Sequence, residues 1–131
     1  MTFTAEQKSL ILSCQNEVYT INTKDLSIQQ HFTNLGVKQI IYSCLSPDGR
    51  LLLAPCPYDN VVLVIDMVTG KVSHRIATGK APIYVRIAPN STEAFVSNAL
   101  DNHMSIINLS DFSVSSSGNV YKPNGFVFLS P

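Results

Sequence analysis

The sequence predicts an all-β protein built as three repeats. Three observations predict it: a turn motif recurring at a fixed interval, short apolar runs rich in β-branched residues between those turns, and no long stretch of helical periodicity. The turn motif is Ser46-Pro47-Asp48-Gly49-Arg50. It returns as Ala88-Pro89-Asn90-Ser91-Thr92 and again as Ser130-Pro131, so Pro47, Pro89 and Pro131 stand 42 residues apart. A degraded copy, Thr4-Ala5-Glu6-Gln7-Lys8, lies one interval earlier. Asp59-Asn60 recurs as Asp101-Asn102, Ile65-Asp66 as Ile107-Asn108, Val72 as Val114, and Cys14 as Cys56. Tyr42, Tyr84 and Phe126 form a further series at the same spacing. The first unit has a shorter loop at Gln15-Asn16, since Asn16 and Asn60 are 44 apart. The chain of 131 residues is therefore read as one repeat domain, 1–131, with units at about 5–46, 47–88 and 89–130.

Each unit reads as four short strands. In the second, Ile40–Leu45 runs into the Pro47-Asp48-Gly49 turn, where Pro at the second position and Gly at the fourth suit a type I turn. Leu51–Ala54 follows, then a break at Pro55-Cys56-Pro57-Tyr58-Asp59-Asn60. Val61–Ile65 is uninterrupted Val, Leu and Ile, which predicts a strand buried on both faces. Thr69-Gly70-Lys71 turns the chain into Val72–Ala77, whose apolar–polar alternation suits a half-exposed outer strand. The third unit repeats this with Ile83–Ile87, Glu93–Ser97, His103–Ile107 and Phe112–Ser116. The first supplies Leu10–Cys14, Val18–Ile21 and Ile28–Phe32. A short helix over residues 22–31 competes only weakly, because Thr23 and Ser27 form helix poorly.

Four antiparallel strands in about 42 residues match a β-propeller blade. The units resemble those of the YVTN-type β-propeller family of bacterial and archaeal lactonase-like and surface-layer proteins. The resemblance rests on Ser46–Arg50, on Asp59-Asn60-Val61-Val62-Leu63-Val64-Ile65-Asp66, on Thr69-Gly70-Lys71-Val72 and on Gly79-Lys80-Ala81-Pro82. Phe95-Val96-Ser97-Asn98 stands at the place of the tetrapeptide that names the family, and the similarity is strongest over residues 40–108. A WD-type repeat fits less well, with Ile65-Asp66 in place of Trp-Asp and no Trp in the chain.

A propeller closes with about 4–8 blades, so three blades leave two apolar faces open to water. Two expectations follow: dimerisation to a six-bladed ring, or a place within a longer propeller. The strand expected at 125–131 would complete a first blade, in the same or a partner chain, because only residues 1–4 precede the first turn.

Composition narrows function by exclusion. Nine basic and nine acidic residues cancel and the pI is near 6.8, against a nucleic-acid partner. No apolar run reaches the roughly 20 residues that span a bilayer. Residues 1–8 carry no secretory pattern, so the chain as written is expected in the cytoplasm, or in the periplasm or at the surface if it belongs to a longer secreted chain. Cys14, Cys44 and Cys56 form neither a disulfide framework nor a zinc knuckle and read as buried apolar residues. His31, His74 and His103 read as surface residues without metal-ligand spacing. There is no Gly-x-Ser-x-Gly elbow and no His-Glu-x-x-His, and Ser115-Ser116-Ser117-Gly118 lacks the Lys and helix of a phosphate cradle. Neither a catalytic set, a metal nor a cofactor is expected.

The candidate binding residues lie at a channel or rim. Arg86 sits in a first strand at the position of Cys44 and Phe128, where a buried guanidinium would face a central channel and either meet an anion or bond water and carbonyls. Tyr84 and Tyr42 are the other polar residues expected to converge on the central channel. Lys80 and Lys122 precede first strands on the same face as the Asp59 and Asp101 loops, and those Asp-Asn pairs read as turn residues bonding their own backbone. The expected function is a non-enzymatic scaffold or binding module acting through an unidentified protein partner or self-association. The alternative is a piece of a larger propeller enzyme, lactonase-like or cofactor-binding, with its site in the central channel.

Overall fold

The computed structural model describes residues 2–4, 6, 8–90 and 92–129, without the side chain of Phe3. These residues form three four-stranded antiparallel sheets and no helix. The first sheet holds β1 (Thr2–Phe3), β2 (Ser9–Cys14), β3 (Glu17–Asn22) and β4 (Ile28–Phe32). The second holds β5 (Cys44–Leu45), β6 (Leu51–Cys56), β7 (Val61–Asp66) and β8 (Val72–Ala77). The third holds β9 (Pro82–Ile87), β10 (Glu93–Asn98), β11 (Met104–Asn108) and β12 (Val114–Ser116). Within each sheet every strand pairs with the next, and β5 rests against both β1 and β9.

The interval seen in the sequence is written in the hydrogen bonds. Thr4 N–H donates to Ser9 O (2.9 Å), Ser46 N–H to Leu51 O (2.8 Å) and Ala88 N–H to Glu93 O (2.8 Å). In the second of these turns Gly49 N–H closes on Ser46 O, and the Asp48 carboxylate accepts from Ser46 Oγ and Arg50 N–H, which lowers its pKa from the ordinary Asp range. Each third strand ends alike. The side-chain oxygens of Asn22, Asp66 and Asn108 accept from the amide two residues on, and their carbonyls accept from the amide four residues on. That fourth residue is Leu26, Gly70 or Phe112, all with left-handed backbone (φ 60°, 73° and 58°). A side chain there costs roughly 1–2 kcal/mol. Leu26 is exposed, so Leu26→Asn, which tolerates this conformation, is expected to raise stability by about 0.5–1 kcal/mol in chemical denaturation.

Two cores hold the stack together. Ile11 and Val18 of the first sheet meet Leu52, Leu63 and Ile65 of the second, closed by Leu35, Val37 and Ile40 from the connecting segment. Leu53, Val62, Val64 and Ile76 of the second sheet meet Val85, Ala94, Val96 and Ile107 of the third. β7 therefore feeds both cores with alternate residues, and Val61–Ile65 is buried throughout, as its sequence predicts.

Three expectations are corrected. The strand expected at Ile40–Leu45 shrinks to Cys44–Leu45, because Tyr42 adopts left-handed backbone (φ 41°) and breaks the extended run. The break expected at Pro55-Cys56 is strand instead: β6 continues to Cys56. Pro55 is tolerated because its edge toward β5 lies beyond the paired residues Leu52 and Leu53, and Pro55 O there accepts from Ile41 N–H (3.0 Å). In the expected terminal strand at 125–131, residues 125–129 pair with no sheet, and Ser130 and Pro131 lie outside the described residues. The first sheet has its own first strand, β1, paired to β2 through Thr2–Ile11 and Phe3–Leu10.

Candidate functional site

The series Tyr42, Tyr84 and Phe126 becomes a physical row. Tyr42 and Tyr84 have ring centroids 6.3 Å apart, and Tyr84 and Phe126 meet edge to face at 5.2 Å. Phe126 and Phe128 both pack edge-on against Phe95 in β10, at 6.5 and 5.5 Å. Phe95 lies opposite Arg86 and Ser97 opposite Tyr84 in the β9–β10 ladder, so this cluster covers the face of the third sheet turned away from the second. Arg86 is exposed rather than buried. Its Nε donates to Tyr84 Oη (2.9 Å), and the guanidinium sits 5.4 Å from the ring centre. Among the described residues no fourth sheet covers this face, which leaves Arg86 exposed.

Asp59 and Asp101 act as latches between sheets. Asp59 Oδ2 accepts from Lys38 N–H (2.9 Å), and Asp101 Oδ2 accepts from Lys80 N–H (3.2 Å). Each carboxylate lies in the loop between the second and third strands of a sheet and holds the segment that leads into that sheet. Lys122 N–H reaches Asp101 O (3.2 Å), and its ammonium lies over the Tyr121 ring (5.4 Å). Gly79 completes the latch of the third sheet: a Cβ there would stand 2.8 Å from Asp101 Oδ2 and 2.7 Å from Asn98 Nδ2, so only glycine lets the segment lie this close. Asp59 is the better covered carboxylate, with Arg75 Nη2 at 3.8 Å. Asp59→Ala is expected to cost about 1–2 kcal/mol, measured by urea unfolding.

The Asn102 and Lys80 amides hold the Asp101 carboxyl below its ordinary range. Hydrogen bonds from Ser27 and Ser113 do the same for Asp25 and Asp111. These depressed carboxyls contribute stability above their unfolded value of 3.8 and lose it as pH falls through their lower folded values. Thermal melts are therefore expected to hold steady from pH 7 to about 5 and to fall below about 4.

The opposite end of the stack carries a different surface. On the free face of the first sheet, Leu10, Ile21 and Ile28 stand in one cross-strand row, and Leu12, Tyr19 and His31 in the next. Ile28 is 63% exposed. Tyr19 stacks on His31 (centroids 4.1 Å, planes 11° apart), and both reach Glu17 Oε2, at 2.8 and 3.0 Å. The Tyr19 hydroxyl foremost, then His31, holds the Glu17 carboxyl low. Cys14 lies beside them and is exposed, which corrects the expectation of three buried cysteines; it is exposed because no sheet covers this face. Its period mate Cys56 is buried, and burial foremost, with the Asp59 charge, pushes its thiol up to about 12. His74 stacks on Phe112 at 3.9 Å. Among the described residues no three His, Cys, Asp or Glu side chains gather to hold a metal ion.

The seven residues singled out from the sequence thus fall into groups. Tyr42, Tyr84 and Arg86 come together, as do Lys80, Asp101 and Lys122, while Asp59 pairs with Lys38 and Arg75. Lys38 was open to detection, since Lys38, Lys80 and Lys122 keep the interval of 42. Phe126 keeps the interval too, but the packing of Phe126 and Phe128 over Phe95 carried no such signal.

No family model matches the chain, and no curated protein matches it. Among solved structures it is similar to Kuenenia stuttgartiensis hydrazine synthase, with a TM-score of 0.81 at 19% identity. The superposition covers 92% of this chain and 36% of that one, so the chain spans about a third of that protein's length. At this identity the likeness is one of fold.

Proposed function

We propose that the protein is an arc of three β-propeller blades, of the YVTN type, that serves as a scaffold or binding module and works by joining its two end sheets to further blades. The carrying observation is the contrast between middle and ends. The second sheet buries both faces, whereas the first presents Leu10, Leu12, Ile21 and Ile28, and the third is covered only by an unpaired segment. A sheet that needs a neighbour on each side makes a head-to-tail contact, and two such arcs close a ring of six blades. In this reading the partner is a second copy. The absence of an excess charge leaves apolar burial as the driving force.

Static light scattering tests this reading. A mass of twice the 14.4 kDa chain is expected, falling toward the chain mass when Ile21→Lys places a charge on the first sheet's free face. A wild-type chain that stays monomeric at every concentration overturns it.

A second reading places the chain within a larger propeller enzyme, with Tyr42, Tyr84 and Arg86 on the channel wall. The row of rings along the first strands and the partial span of its structural neighbour favour it. Further repeats of 42 residues in the adjoining reading frame would decide for this second reading.

A further inference from the structure

We infer that the end of the stack carrying the loops between second and third strands binds an acidic, proline-rich peptide in polyproline II conformation, with a carboxylate at every third residue. This surface is separate from the two end sheets, so the inference goes beyond the self-association proposed above and does not depend on it. It starts from three lysines. Lys38, Lys80 and Lys122 stand 42 residues apart, each in the segment that follows a fourth strand. The main chain of each is pinned at this end: Lys38 N–H donates to Asp59 Oδ2 (2.9 Å), Lys80 N–H to Asp101 Oδ2 (3.2 Å) and Lys122 N–H to Asp101 O (3.2 Å). All three residues are exposed, and their ammoniums form no ion pair among the described residues. The acids of the same end are already engaged. Asp59 and Asp101 hold these amides, and Glu17 accepts from Tyr19 and His31. A row of three unpaired positive charges is left facing water.

Spacing sets the ligand. Sheets packed face to face stand about 10 Å apart, so the anchored lysines recur at roughly that interval. A polyproline II segment turns once in about three residues and rises about 3.1 Å per residue, so every third side chain points the same way at steps of roughly 9 Å. An extended strand alternates its side chains between two faces and offers no such match. Apolar platforms lie beside the lysines for the prolines between the carboxylates. Tyr58 is 67% exposed and lines a groove of about 410 Å³ with Lys38, Gln15 and Gln39. Leu100, also 67% exposed, donates its N–H to Lys80 O (3.2 Å). Tyr121 is 78% exposed, with the Lys122 ammonium 5.4 Å from its ring centre. Each lysine thus has one exposed large side chain beside it, and proline-rich segments dock on aromatic surface of this kind. Equal numbers of acidic and basic residues give the chain no long-range pull on a nucleic acid, which favours a peptide.

The test uses the whole chain and a fluorescent peptide of four Glu-Pro-Pro repeats, read by anisotropy at low salt. Binding is expected, and it is expected to weaken at least about tenfold as salt rises from about 50 to about 500 mM. A peptide of the same composition with its glutamates in one block is expected to bind at least about tenfold more weakly, because it meets one lysine rather than three. Lys80→Gln is expected to lower affinity about fivefold and Tyr58→Ala about threefold. Lys71→Gln, at the opposite end of the stack, is expected to leave it unchanged. Lys80→Gln keeps the latch, which uses the main-chain amide and not the ammonium, and an unchanged urea midpoint verifies that. Absence of binding, equal binding of the block peptide, or an equal loss from Lys71→Gln overturns the inference. So does a single-stranded oligonucleotide that binds as tightly as the peptide. None of these outcomes touches the light-scattering mass that tests self-association.

Discussion

Gly70→Ala is expected to destabilise the protein by about 3 kcal/mol, more than any other single-methyl change in a turn. Gly70 is the left-handed residue that ends β7's turn, but handedness alone does not demand glycine there, since Leu26 and Phe112 occupy the same place in the other sheets. The difference is the neighbour. A Cβ on Gly70 would overlap the ring of Phe32, which packs against the first core from β4. The substitution therefore adds a steric conflict between two sheets to a backbone cost of roughly 1–2 kcal/mol. In a Phe32→Ala background the same change is expected to cost only that backbone share. A double-mutant cycle by urea unfolding separates the two, and additivity within about 0.5 kcal/mol would show that Phe32 is not the obstacle.

Ile65→Ala is expected to cost about 3–4 kcal/mol, and its period mate Ile21→Ala only about 1 kcal/mol in the dilute chain. Both are isoleucines in third strands, at equivalent places in the first and second sheets. Ile65 is fully buried between Leu52 and Val72 in the ladder and belongs to the core shared with the first sheet. Ile21 faces outward between Leu10 and Ile28 and is half-buried. Removing Ile65 leaves a cavity that the packed middle sheet cannot close; removing Ile21 trims a free surface. Under the proposed self-association, the Ile21→Ala cost is expected to appear as weakened association instead. Equal costs for the two in the dilute chain would show that the first sheet's outer face is not an open end.

Much of this architecture is legible in the sequence because it repeats. The interval between Pro47 and Pro89 places the turns, and the unbroken Val61–Ile65 run announces the strand that feeds both cores. The row Tyr42–Tyr84–Phe126 could be listed before any coordinates. What could not be read depends on neighbours in space. Ile40–Leu45 has the composition of a strand, yet Tyr42 turns into left-handed backbone while Ile40 and Ile41 donate to Gln15 O and Pro55 O. Pro55 looks like a breaker until its unpaired side of β6 is known. Arg86 looks buried by analogy with Cys44, and is exposed because among the described residues no sheet packs on that face of the third. The latches from Asp59 and Asp101 bind main-chain amides 21 residues away, and no residue type at Lys38 or Lys80 reports that.

Direct imaging of the assembled particle by electron microscopy bears most closely on the proposal that these sheets are blades whose ends must be joined. The expected projection is a closed ring of six sheets about one axis, two chains to a ring. A lone arc of three sheets, or copies meeting anywhere other than first sheet to third, would contradict it.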